Sequence, residues 1–243
     1  VTTAHPLPEA REGRRAFEVV LVWVEERILA GDLGVGDQLP AERDLAQQLE
    51  VSRSAVREAV RTLQAQGVVR SSVGAGAAGG TTITSVPSDA LGRLLRLHVS
   101  LTHFDLPDVL EVRIALERLS VRLAAAHATE DDLETMRGLL ETMADPDVDR
   151  RVFNDHDTAF HVALARAAGN RLATDLTAAI RESMQLPILD RFRTLASWDD
   201  VADELRRDHQ AIFDAVAAGD GDAAQEQVET HIRSAWAALS TGA

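Results

Sequence analysis

Apolar residues recur at intervals of three and four along nearly the whole chain, the period of α-helices packed on one side. That period fails in one place. Residues 74–80, from Gly74 to Gly80, hold only glycine and alanine, and Pro87 follows soon after. The chain therefore reads as two units, about 70 residues before this run and about 155 after it.

In the first unit Phe17, Val20, Leu21, Val24 and Ile28 form one apolar helix face, and Gly31 ends it. Leu33 to Leu39 is a glycine-punctuated turn. Pro40 stands where a helix starts, with Glu42 and Asp44 in the first turn, where the helix dipole favours acids. Leu45, Ala46 and Leu49 make its apolar side. Val51 and Ser52 break that helix, and Ser52 is a good N-cap for the next. There Ala55, Val56, Ala59, Val60 and Leu63 face inward until Gly67 closes the helix. Two β-like stretches, Val68 to Ser71 and Thr81 to Thr84, are joined by the glycine run. Helix, helix, tight turn, helix and β-hairpin is the order of a winged helix-turn-helix.

The second unit shows amphipathic periodicity over residues 89–101, 106–127, 129–143, 151–168, 170–194, 201–218 and 220–239. Thr129 with Asp132 resembles a capping box. Leu106, Val109, Val112, Leu116, Leu119 and Leu123 form a heptad-like stripe suited to an antiparallel bundle. The expected fold is mainly α: a winged helix-turn-helix (three helices plus a β-hairpin wing) over residues 12–85, then an all-α antiparallel helical bundle over residues 88–241.

Composition removes whole classes of chemistry. The chain has no cysteine, which excludes disulfides, thiolate zinc fingers, a Cys nucleophile and iron-sulfur clusters. All 25 basic residues are arginine, which excludes a Schiff-base lysine and a P-loop lysine. No stretch approaches the ~20 apolar residues of a membrane span, and Val1 to Arg15 lacks the apolar core of a signal peptide. A cytoplasmic protein without a membrane partner is expected.

The net charge of -14 argues against nucleic acid until its distribution is read. Residues 1–80 carry 9 Arg and 11 acids; residues 81–243 carry 16 Arg and 28 acids. The excess of acid, -12 of the -14, therefore lies in the second unit, and residues 51–70 hold four Arg and one Glu, a local +3. Arg53, Arg57 and Arg61, spaced i, i+4, i+8, share the face of the third helix opposite its apolar side. Arginine offers a fork for guanine O6/N7 or for phosphate. Arg43 is placed to touch the DNA backbone, and Ser52 and Ser54 to donate to phosphates near the helix N-terminus. The bland alternative is a solvated charged face with Glu58 pairing with Arg57 or Arg61. The complete motif around the row favours DNA.

These residues also carry a resemblance. The segment from Gly31 to Ala46, with its Pro40-x-Glu42-Arg43, and the segment Val51-Ser52-Arg53 to Val60, ending at Leu63 and Gly67-Val68, look like the N-terminal domain of GntR-type bacterial transcription regulators. The resemblance covers roughly residues 15–85. It implies operator contacts by Arg43, Arg53 and Arg57. In the family a Gly-x-Gly wing tip enters the minor groove. Gly74 and Gly76 fit that pattern, but residues 77–80 lengthen the tip and supply no basic side chain, leaving backbone contacts only.

In the second unit polar residues lie on apolar stripes. Asp157 and His161 share a face with Phe153, Phe160 and Leu164; His209 with Leu205, Ile212 and Val216; His231 with Val228, Ile232, Ala235 and Leu239. Each would be costly if buried unpaired. Asp157 and His161 are i, i+4 and can chelate one ion, with His209 and His231 closing the shell. One Asp and three His suit a divalent metal, zinc first, with nickel, manganese or iron also possible. The alternative is a set of separately hydrogen-bonded core histidines. His156 lies on another face and reads as surface, and His5, His98, His103 and His127 belong to no constellation.

Residues 90–240 resemble the ligand-binding domain of the FadR subfamily of GntR regulators. The shared features are Glu111-Val112-Arg113 with Glu117, Asp157-x-x-Phe160-His161 with Leu164, Ala168-Gly169-Asn170, His209 with Ile212, and His231-Ile232. The resemblance implies metal binding by Asp157, His161, His209 and His231, and a small organic acid as effector. Arg113 is the candidate carboxylate clamp, since a guanidinium forks, with Glu117 and Asn170 in supporting roles. The simpler readings are that Arg113 and Glu117 only pair, and that Asn170 only caps its helix.

The expected whole is a homodimeric regulator, not an enzyme, in the repressor mode commoner in the family. It would bind double-stranded DNA at a palindromic operator, with a small carboxylate at the metal shifting operator affinity. Two competitors use the same site: a purely structural or metal-sensing ion, and a metal-dependent hydrolase with a DNA-binding appendage, which lacks an evident general base.

Overall fold

The computed structural model describes residues 15–72, 80–86, 88–101 and 103–240. The chain divides into two compact units at Ala90/Leu91.

In the first unit α1 (Ala16–Leu29), α2 (Glu42–Gln48) and α3 (Arg53–Ala65) precede the strands β1 (Val69–Ser72) and β2 (Gly80–Ile83). Val20 and Val24 of α1 are fully shielded, and Leu45, Leu49, Val56, Ala59, Val69 and Ile83 close the core around them. The strands pair antiparallel with Val69 opposite Ile83 and Ser72 opposite Gly80. The turn before α2 does more than connect. Leu39 N–H donates to Thr81 O (2.8 Å) and Ile83 N–H to Asp37 O (2.8 Å), so residues 37–39 line the free edge of β2. Ser52 caps α3 as its sequence position requires, its Oγ accepting from Ala55 N–H at 3.2 Å. Gly31 and Gly67, with φ of +78° and +73°, take the left-handed conformation that ends α1 and α3. Ahead of α2, Ala41 is the N-cap and Glu42 the first helical residue, two places after Pro40.

After α4 (Ser88–Ser100), which spans the boundary, helices are the only regular elements among the described residues of the second unit: α5 (Leu106–His127), α6 (Glu130–Ala144), α7 (Arg150–Ala167), α8 (Arg171–Thr194), α9 (Trp198–Ala217) and α10 (Gly221–Ser240). The expected segments agree with these bounds to within three residues. Thr129 and Asp132 form the expected capping box on α6. Phe153, Phe160, Leu164, Ile212, Val228 and Ile232 centre the core.

One element packs differently from the sequence reading. On α5 the stripe Leu106, Val109, Val112, Leu116, Leu119 and Leu123 is not the buried face: Val112 is 53% exposed and the others are only partly covered. The buried face is Leu110, Arg113, Ile114, Glu117, Ser120, Val121 and Ala124. Three polar side chains on that face hid it from an apolar count, and they turn inward because the bundle supplies partners for them.

Candidate functional site

The second unit's polar centre is built by α5, α7, α8, α9 and α10. Asp157 and His161 stand one turn apart on α7, His209 comes from α9 and His231 from α10. All four are buried, and one ligand atom from each lies within 4.8 Å of all the others. His209 Nε2 is 3.0 Å and His161 Nε2 3.8 Å from Asp157 Oδ1. The ring centroids of His209 and His231 are 4.5 Å apart. Ligand atoms opposite one another on a single ion stand at most about 4.4 Å apart, twice the bond length, so this set closes on an ion with shifts of a few tenths of an ångström. Both ring nitrogens of His161 and of His209 are buried and make no well-aligned hydrogen bond among the described residues. Orphaned imidazole nitrogens facing a carboxylate are what a metal ion satisfies, and the residues fit a divalent cation.

Around these four candidate ligands stand residues that orient them. Glu117 Oε2 lies against His161 Nδ1, a contact that favours a proton on that nitrogen and leaves Nε2 toward the centre. Glu117 Oε1 in turn accepts from Arg113 Nε at 2.6 Å. Arg181 of α8 donates through Nη2 to Asp157 Oδ2, which leaves Oδ1 facing the histidines. Asp208 Oδ2 lies 3.3 Å from His231 Nδ1 and turns Nε2 of that ring inward. Of these, the sequence offers Arg113 and Glu117 either as effector contacts or as a simple i, i+4 pair, and the pair forms; it gives Arg181 and Asp208 no role. Arg181 left a signal, since it interrupts the buried face Thr177, Ala178, Ile180 and Met184 of α8. Asp208 left only its adjacency to His209.

Electrostatics follow from burial. His161 is pushed down from 6.5 to about 3 by burial, which the neighbouring Glu117 only partly offsets. His231 is also held well below its ordinary value, by burial and then by His209. Burial alone would raise Asp157 and Glu117, yet both lie well below the usual carboxylate range. Arg181, then His209, hold Asp157 there; Arg113, then His161, hold Glu117. His161 and His231 are thus neutral, and Asp157 ionised, at neutral pH, the forms in which these groups bind metal.

Beside the cluster lies a small cavity with Arg113, Asp157, Arg181 and His231 at one end and an apolar wall that includes Met184 and Trp236. It leaves about 30 Å³ for the centres of water-sized molecules. Glu117 stands behind Arg113 and does not line it, and neither does Asn170. Asn170 is exposed and caps α8, its Oδ1 accepting from Ala173 N–H at 3.1 Å. His156 sits away from the centre, its Nδ1 2.9 Å from Val152 O.

In the first unit Arg53, Arg57 and Arg61 are exposed along α3, opposite buried Ala55, Val56, Ala59 and Val60. Arg43 is exposed on α2. Ser52 and Ser54 are exposed at the start of α3, their hydroxyls 2.8 Å apart. Arg57 Nε is 3.5 Å from Glu42 Oε2; among the described residues Glu58 forms no ion pair with Arg57 or Arg61. Gly74 and Gly76 lie outside the described residues.

The comparisons agree with both halves. Residues 18–78 match the bacterial regulatory proteins of the gntR family, and residues 108–234 match the FCD domain. The chain is 34% identical over 204 residues to the HTH-type transcriptional regulator LutR of Bacillus subtilis (strain 168), spanning 83% of this chain and 91% of that one. It is 29% identical to the galactonate operon transcriptional repressor of Escherichia coli (strain K12), over 88% of this chain and 93% of that one. The solved structure of Streptococcus agalactiae GntR superposes with a TM-score of 0.58 at 27% identity, covering 90% of this chain and 98% of the other. These are transcription regulators rather than enzymes, and no helix among the described residues is long and apolar enough to cross a membrane. The chain therefore belongs to the gntR family of bacterial transcription regulators, with an FCD domain as its helical second unit.

Proposed function

We propose that this regulator is a cytoplasmic homodimeric repressor whose operator affinity is set by a small carboxylate bound beside a divalent metal, zinc first among candidates. Residues 12–85 bind DNA through Arg43, Arg53, Arg57 and Arg61, with Ser52, Ser54 and the wing glycines Gly74 and Gly76 on the backbone. Residues 88–241 hold the metal through Asp157, His161, His209 and His231. Two arginine helices, one per subunit, suit a palindromic operator.

The observation that carries the effector is the charge of the buried centre. Asp157 and Glu117 are matched by Arg113 and Arg181, all four buried, and partly buried Asp208 adds one carboxylate at His231. A dication there leaves the centre with excess positive charge, which is costly unless an anion accompanies it. The cavity reaches Arg113, Arg181 and Asp157, and its room is that of about two waters, enough for a carboxylate group. When bound, the metal supplies a Lewis-acid contact for that carboxylate. Arg113 and Arg181 supply charge and fork geometry, and the apolar wall selects the remainder of the molecule. A small 2-hydroxy carboxylate is the first class to test, since one relative represses a galactonate operon and galactonate is such an acid.

The test is a thermal-shift screen of carboxylates with and without chelator, followed by operator binding. The expected result is a metal-dependent stabilisation by one acid class that also weakens operator binding. The Asp157→Ala/His209→Ala variant loses both effects. A metal that alters DNA binding with no carboxylate effect identifies a metal sensor instead; a metal that affects only stability identifies a structural ion.

A further inference from the structure

The arginine row of α3 is not uniform. Among the described residues, Arg57 is the member of the row paired with a carboxylate, that of Glu42 on α2 across the helix-turn-helix. The contact engages Nε and leaves the Nη1/Nη2 edge of a half-exposed guanidinium for an outside partner. Glu42 itself is the first residue of α2, ahead of Arg43. A negative charge on a face that meets phosphates weakens binding to any DNA sequence. The dipole of α2 favours an acid in this turn, a role that Asp44 also fills, so the contact with Arg57 is what sets Glu42 apart.

We propose that Glu42 is a positioning residue for base readout. By attracting Nε, its carboxylate biases the Arg57 side chain toward rotamers that turn the Nη1/Nη2 edge away from α2. That edge is then preset for two parallel hydrogen bonds to guanine O6 and N7, rather than for the nearest phosphate. Arg53 and Arg61, without such a brace, keep the freedom to follow the backbone. The pair thus exchanges some general affinity for discrimination at one base pair of each half-site. This rests on the DNA-binding reading of the first unit.

The experiment uses the full-length protein and a duplex recovered by wild-type selection from a random pool, with a scrambled duplex for comparison. Glu42→Gln keeps the side chain's size and α2's remaining first-turn acid, Asp44. The expected result is a loss of roughly tenfold in discrimination between the two duplexes, confined to one guanine position per half-site. Affinity for the scrambled duplex should stay equal or rise, because a negative charge has gone. In an Arg57→Ala background the Glu42→Gln change should have no further effect on discrimination. If Glu42→Gln tightens both duplexes equally, Glu42 is only a surface charge and the proposal fails. If instead wild type selects no sequence, or Arg53→Ala binds as wild type does, the DNA-binding reading itself fails.

Discussion

Glu117 shows how much a single buried residue can organise. It lies between Arg113 and His161, so one carboxylate pairs with a guanidinium and favours one imidazole tautomer. Partners of this kind commonly contribute 10–100-fold to metal affinity. Glu117→Gln should therefore weaken zinc binding by about that factor while leaving the four ligands in place, measured by competition with a chromophoric chelator. Unchanged affinity would mean that His161 needs no orienting partner. The cluster was legible in the sequence because Asp157 and His161 stand one turn apart and His209 and His231 interrupt apolar stripes. The Arg113–Glu117 pair was legible from its i, i+4 spacing, but the contact of Glu117 with His161 was not. Arg181 and Asp208 act on ligands 24 and 23 residues away, and no spacing rule reaches across helices.

At the level of the helix, α5 carries the clearest lesson. Its apolar stripe looked like the core face, yet the side chains that turn inward include Arg113, Glu117 and Ser120. The stripe left outside is exposed at Val112 and partly covered elsewhere, apolar surface that a second copy would cover. Leu94, Leu97 and Leu101 form a second exposed row, along α4 and just beyond its end. In the proposed homodimer the α5 stripe is the surface for the second copy. A Val112→Asp/Leu116→Asp variant should accordingly sediment as a monomer with its helical content retained. A variant that stays dimeric would move the interface elsewhere.

Over the whole molecule, charge and protonation set the working conditions. The folded chain keeps His161 neutral down to about pH 3, whereas the unfolded chain takes up that proton near its ordinary value of 6.5. Stability is thus fully present above pH 6.5 and is lost as pH falls from there toward 3. Chelator-treated protein should show a denaturation midpoint that declines across this window and is level above it. At pH 7, adding zinc to about 100 times its dissociation constant should stabilise the protein by ~2.7 kcal/mol. A flat profile below pH 6.5 would show that His161 is exposed and the centre is not formed.

Local residue order was enough to determine the elements. Helical period, caps and punctuating glycines depend on neighbours within about four residues, so the winged helix-turn-helix, the bundle and the arginine row could be read directly. The set of one aspartate and three histidines was legible too, because burying such groups demands a shared partner. Tertiary structure alone decided which face of α5 turns inward, that Asn170 caps a helix away from the cavity, and which groups brace Arg57, His161, His231 and Asp157. Those outcomes depend on which helix packs against which, and on a buried polar group choosing the nearest available partner, quantities that no local window contains.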